Sequence, residues 1–144
     1  MMKKKEELVK HVEHAFEIGG FRYFLNKNTW DLEYFPDDDN LAYADSDLYE
    51  DIIRKIKENP NQYIEIETPT SRDDYAAMEG FTEQVRNPTQ LERLISALNR
   101  PNPFRQFRYA LEDTDLWNEW YNFKNRICKQ MAKEWVKKNF ILFQ

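Results

Sequence analysis

Glycine, cysteine and histidine are all scarce in this chain of 144 residues: three, one and two respectively. Each shortage removes a class of function. With glycine only at 19, 20 and 80, no Gly-rich loop can cradle a phosphate or a dinucleotide. With Cys128 alone, no disulfide closes within the chain, which fits a reducing cytoplasm. Neither histidine stands near a cysteine or serine in a triad-like pattern. No apolar run reaches about 18 residues, so a membrane-spanning helix is not expected. Met1-Met2-Lys3-Lys4-Lys5 opens like a secretion signal, but Glu6-Glu7 follows where an apolar run is needed.

Charge is plentiful and unevenly placed. Up to Asn99 there are 12 basic and 21 acidic residues; from Arg100 on there are 9 basic and 5 acidic. The overall −5 argues against general nucleic-acid binding, which needs basic density. Only the last third offers a positive face, and solvated helix charge is the simpler reading of it. The length suits one domain over residues 1–144, with residues 1–5 expected to be disordered. A chain of this size buries roughly 70% of its unfolded surface without a metal or a disulfide.

Periodicity divides the chain into elements. Leu8, Val9, Val12, Ala15 and Phe16 make one face of a helix over 6–18, which Gly19-Gly20 stops. His11 and His14 lie off that face and read as solvated; they lack the spacing of a strong zinc site. Phe21–Asn26 and Thr29–Phe35 alternate as a hairpin turning near Lys27-Asn28, with Trp30, Leu32 and Tyr34 on one face. The Asp37-Asp38-Asp39 loop lacks the Gly and Glu that an EF-hand requires. No metal and no cofactor is expected.

Asp47 opens the next helix, with Leu48, Ile52, Ile53 and Ile56 as its buried stripe, and Asn59-Pro60 ends it. Tyr63–Thr68 is a third strand, which brings Glu65 and Glu67 onto one face about 7 Å apart. Ser71-Arg72-Asp73-Asp74 and Asn87-Pro88-Thr89-Gln90 cap two further helices, the second with Gln90 closing a capping box. After Pro101-Asn102-Pro103, Phe104, Phe107 and Leu111 line a short helix. Thr114 or Asp115 then starts a helix of about 25 residues. Leu116, Trp120, Phe123, Ile127, Met131 and Trp135 form its main stripe, and Trp117, Tyr121, Cys128, Ala132 and Val136 a second row. Cys128 reads as a small core residue and Trp120 as largely buried. The sum is an α+β fold: a small three-stranded antiparallel sheet with about six helices packed on one face.

Several of these pieces, in this order, resemble Uncharacterised Protein Family number 0158, a bacterial family. They are Tyr23-Phe24-Leu25-Asn26, Tyr63-Ile64-Glu65-Ile66, and Ser71-Arg72-Asp73-Asp74-Tyr75 with Met78 and Phe81. Phe104-Arg105-Gln106-Phe107, Trp120-Tyr121-Asn122-Phe123 and Glu134-Trp135 complete the set. Together they cover about residues 21–136. The resemblance implies a small soluble α+β domain and carries over no activity or catalytic residue. Pro101-Asn102-Pro103 departs from the small, often Gly-containing loop of the family.

Two functions compete on these residues. One is a non-enzymatic binding or regulatory domain, cytoplasmic, a monomer or small homo-oligomer, meeting a protein or an anionic small molecule. Arg105 and Arg108, with Trp117, Tyr121 and Lys124 on the next helix, form its expected binding site. Arginine suits bidentate contact with carboxylate or phosphate, and aromatics give it a flat partner. The other is a hydrolase-like enzyme with Glu65 or Glu67 as general acid or base and Arg105 or Arg108 holding an anionic substrate.

Overall fold

The computed structural model describes residues 2–41 and 46–143. Among them it shows seven α-helices and one antiparallel sheet: α1 Met2–Glu17, β1 Phe21–Asn26, β2 Leu32–Pro36, α2 Asp38–Leu41, α3 Ser46–Glu58, β3 Tyr63–Ile66, α4 Ser71–Thr82, α5 Pro88–Leu98, α6 Pro103–Asp113 and α7 Trp117–Asn139. Short 3-10 turns cover Pro60–Gln62 and Phe140–Phe143. The α+β fold with a long C-terminal helix is as the sequence predicts. The helix that reading does not contain is α2, one turn wound from the acidic loop, where the Asp37 carboxylate accepts from the Asn40 N–H.

The chain forms two compact units: residues up to 68 with those from 128 on, and residues 69–127. In the first unit the sheet order is β2-β1-β3, with β1 antiparallel to both neighbours. Tyr23 stands opposite Tyr34 and Ile66, and Leu25 opposite Leu32 and Ile64. These residues face a core built with Leu8, Val12, Ala15 and Phe16 of α1 and Cys128, Ala132 and Val136 of α7. Phe24 points the other way, with Phe35 and Tyr63, against Tyr49, Ile52, Ile53 and Ile56 of α3. Helices therefore cover both faces of the sheet, not one. The cause is the central strand, where Tyr23, Phe24 and Leu25 are all buried in succession. A strand apolar on both sides needs cover on both sides.

Three details depart from the sequence expectation. Leu48 is 69% exposed, because α3 buries the row Tyr49, Ile52, Ile53 and Ile56, itself spaced i, i+3, i+4, i+7. The hairpin turns through Trp30, which takes a left-handed φ of 68°. Asn26, 2% exposed, holds that turn by accepting from the Asn28 and Thr29 N–H groups. The third concerns the histidines. His14 lies 5.9 Å from the Tyr23 ring and 6.1 Å from the Tyr34 ring, and both histidines are half-buried instead of solvated.

The second unit packs α4, α5, α6 and the first half of α7 around Met78, Phe81, Leu94, Phe107, Ala110, Leu111 and Leu116. Thr70, one residue before the expected cap, closes a reciprocal capping box with Asp73. Asn87 caps α5 as predicted. Gln90 reaches away from that cap and donates to the Thr114 carbonyl at 2.9 Å. Thr114 ends α6 instead of starting α7, its hydroxyl donating to the Ala110 carbonyl.

Candidate functional site

The expected aromatic and cationic site draws on α6 and α7. Phe107, Ala110 and Leu111 turn inward on α6, so residues two or five positions away turn outward at 100° per residue. Arg105, Arg108, Tyr109 and Glu112 make that outer face and are all exposed. Neither arginine makes an ion pair among the described residues, and the Arg108–Glu112 pair that the spacing permits does not form. On α7, Trp120 is half-buried and Phe107 lies edge-on to it at 5.1 Å, which joins the two helices. Trp117 and Tyr121 sit on one flank of that helix, 45% and 59% exposed. Lys124, on the same flank, is committed elsewhere: its Nζ donates to Asp74 of α4 at 2.8 Å. No hydrogen bond or ion pair among the described residues links any two of Arg105, Arg108, Trp117, Tyr121 and Lys124.

Glu65 and Glu67, the carboxylates weighed for catalysis, belong to the first unit, and Arg105 and Arg108 to the second. Glu65 has a partner of its own. Arg22 on β1 grips it with Nε and Nη2, each 2.9 Å from a carboxylate oxygen. This hydrogen bond, first among the causes, raises the Arg22 pKa. Glu67 lies beyond the end of β3 and is exposed.

The neighbourhood of that ion pair forms a cleft that the sequence reading does not contain. It lies between α3 and the sheet, has a volume of about 370 Å³, and includes Arg22, Phe24, Phe35, Ile56, Tyr63 and Glu65 in its lining. The Phe24 and Phe35 rings stack at 5.5 Å, 16° from parallel. The Arg22 guanidinium lies over both, 5.3 and 5.5 Å from their centres.

Under α3, Lys55 Nζ donates to Glu33 at 3.1 Å, and this contact raises the Lys55 pKa. The other Glu33 oxygen and the Tyr63 hydroxyl are buried, and neither meets a partner in hydrogen-bond geometry among the described residues. They are near enough to interact electrostatically: burial first, then the Glu33 carboxylate, raises the Tyr63 pKa, while Lys55 opposes. A second hollow, about 420 Å³, lies in the other unit over Phe81, Val85 and Leu116, rimmed by Arg86, Glu119 and Arg126.

One signal in the sequence pointed to the first cleft. Arg22 and Phe24 share parity on β1, as Tyr63 and Glu65 do on β3. Only the register, with Phe24 opposite Glu65, reveals that the two sets face each other's side of the sheet.

The model of the Uncharacterised protein family (UPF0158) matches residues 13–144. A relative, UPF0158 protein PA5073 of Pseudomonas aeruginosa, is 25% identical over 87 residues, which are 60% of this chain. The match spans 57% of that relative's length. No solved structure matches the chain. The family match takes in the end of α1, all three strands and α2 to α7, which hold both the exposed arginines and the cleft. The chain belongs to the uncharacterised protein family UPF0158.

Proposed function

We propose that this protein is a non-enzymatic binding domain that takes an acidic protein segment on the outer face of α6 and the start of α7. The observation that carries the reading is the uncommitted state of Arg105 and Arg108. Both are exposed and lack an ion pair among the described residues, whereas Arg93 and Lys124 in the same unit are each held by an aspartate at 2.8 Å. Exposed aromatics accompany them: Phe104 and Tyr109 on α6, Trp117 and Tyr121 on α7. Arginine, tryptophan and tyrosine are the residues that most often carry binding energy at protein interfaces. Lys124 is held by Asp74 instead of being free to meet the partner.

The enzyme reading has less support. Glu65 is held by Arg22 in a two-pronged ion pair. A cytoplasmic setting fits the lone, buried Cys128. Among the described residues no helix is long and apolar enough to cross a membrane.

Calorimetric titration with an acidic peptide, and separately with a short RNA, tests the proposal. The peptide should bind, and Arg105→Ala and Arg108→Ala should each weaken it about three- to tenfold. Added salt should weaken it too, because the face is exposed. Peptide binding that ignores both substitutions, or RNA binding that exceeds it, refutes the reading.

A further inference from the structure

The cleft under α3 holds an uncommon combination of groups. The Phe24 and Phe35 rings stack within its lining, and the Arg22 guanidinium lies over both. Ile53, Ile56 and Pro60 complete its apolar lining. That guanidinium already donates to a carboxylate, that of Glu65, in the two-pronged manner. Lys57 adds a second cation to the lining and makes no ion pair among the described residues. The volume of about 370 Å³ lies at the low end of the roughly 300–1,000 Å³ range of small-molecule sites.

The Arg22–Glu65 pair is weakly held despite its good geometry. Both side chains are 43% exposed, and water competes for each. A carboxylate arriving on a ligand can therefore take the place of the Glu65 carboxylate on Arg22. The cations then match the ligand's head, while the apolar lining matches its body.

The geometry points to this cleft as a binding site for a small planar aromatic carboxylate, with Arg22 as its anchor and Glu65 as an internal competitor for that anchor. The site is separate from the α6 face and stands or falls independently of it.

The competitor role makes a distinctive test. Phenylacetate is titrated into the full-length, nitrogen-labelled protein while backbone NMR signals are followed, with phenylacetamide as the neutral counterpart. Phenylacetate should move signals of β1, β3 and α3 and bind at least about tenfold more tightly than the amide. Arg22→Gln should weaken phenylacetate binding about tenfold or more. Glu65→Gln should strengthen it, because the ligand no longer displaces a carboxylate. A pair that serves only to hold β1 to β3 would make both substitutions act in the same direction, and that result overturns the proposal. So does the absence of shifts at these elements up to about 10 mM phenylacetate, well past the millimolar range of weak small-ligand binding. Melting curves of both variants monitor folding, and Lys57→Gln, at an exposed position, gives a milder loss of phenylacetate affinity that survives if Arg22→Gln unfolds the chain.

Discussion

Phe107→Ala is the substitution that most directly tests the packing of the second unit. Phe107 is 2% exposed. Its ring lies edge-on to Trp120 at 5.1 Å and to Phe81 at 6.5 Å, with interplanar angles of 75° and 86°. Burial of a phenylalanine side chain is worth about 1.5–3 kcal/mol. Edge-to-face aromatic pairs add about 0.5–1.5 kcal/mol each. The surrounding helices close only partly over the gap, so the expected loss is about 3–5 kcal/mol. Trp117 is the control. It is 45% exposed and has no ring partner among the described residues, so Trp117→Ala should cost under about 1 kcal/mol. Urea unfolding, followed by far-ultraviolet circular dichroism, gives both values if the slope with denaturant is unchanged. A loss under about 1 kcal/mol for Phe107→Ala, or equal losses for the two variants, refutes the assignment of inward and outward faces on α6 and α7.

Four other substitutions follow from local geometry. Thr70→Ala removes the oxygen that accepts from the Asp73 N–H and should cost about 1 kcal/mol by denaturant titration; no change would mean that the capping box is idle. Gly20 has a φ of +91°, and a side chain there meets Asn40 Nδ2 at 3.4 Å, so Gly20→Ala should lower stability by about 1–2 kcal/mol. Tyr63→Phe deletes a buried hydroxyl that has no partner in hydrogen-bond geometry among the described residues, and should be neutral or slightly stabilising; a loss beyond about 1 kcal/mol would show that the hydroxyl is held by Glu33 or Lys55. Burial lowers the His11 pKa, against the opposing pull of Asp31 and Glu7 and with a small push from His14. The unfolded state therefore binds the proton more readily, so stability falls as pH drops through about 6.5 and below. His11→Gln should flatten that decline between pH 7 and 5; an unchanged slope would discount His11 as its cause.

Much of the fold was legible because its signals are local. The row Leu8, Val12, Ala15 and Phe16 is buried as its spacing demands, and Asn87-Pro88 starts α5 where its chemistry places it. Errors arose where two local solutions competed. On α3, Leu48 and Tyr49 both extend the isoleucine stripe by one turn, and only the shape of the Phe24–Phe35–Tyr63 surface selects Tyr49. On α7 the main stripe packs against both cores, Trp120 and Phe123 in the second unit and Met131 and Trp135 in the first, but the fully buried residues of its second half, Cys128, Ala132 and Val136, come from the second row. A helix that serves two cores has no single apolar face for periodicity to find.

The candidate sites depend on less local information still. Arg105 and Arg108 could be placed on an outer helix face by spacing from Phe107, but whether a carboxylate neutralises them is decided by neighbours far along the chain. Lys124 shows the difference: its aspartate is 50 residues away, on another helix. For Glu65 the alternation of β3 established which side it shares with Tyr63, yet its meaning changed with strand register. Pairing Phe24 with Glu65 sets Arg22, two residues back along β1, diagonal to that carboxylate and on its face. A shift of one residue would turn Arg22 to the α1 face and leave Glu65 a free carboxylate, as the enzyme reading requires. The function suggested by Glu65 therefore turns on a single pairing step between β1 and β3, a long-range choice that the alternation within either strand does not encode.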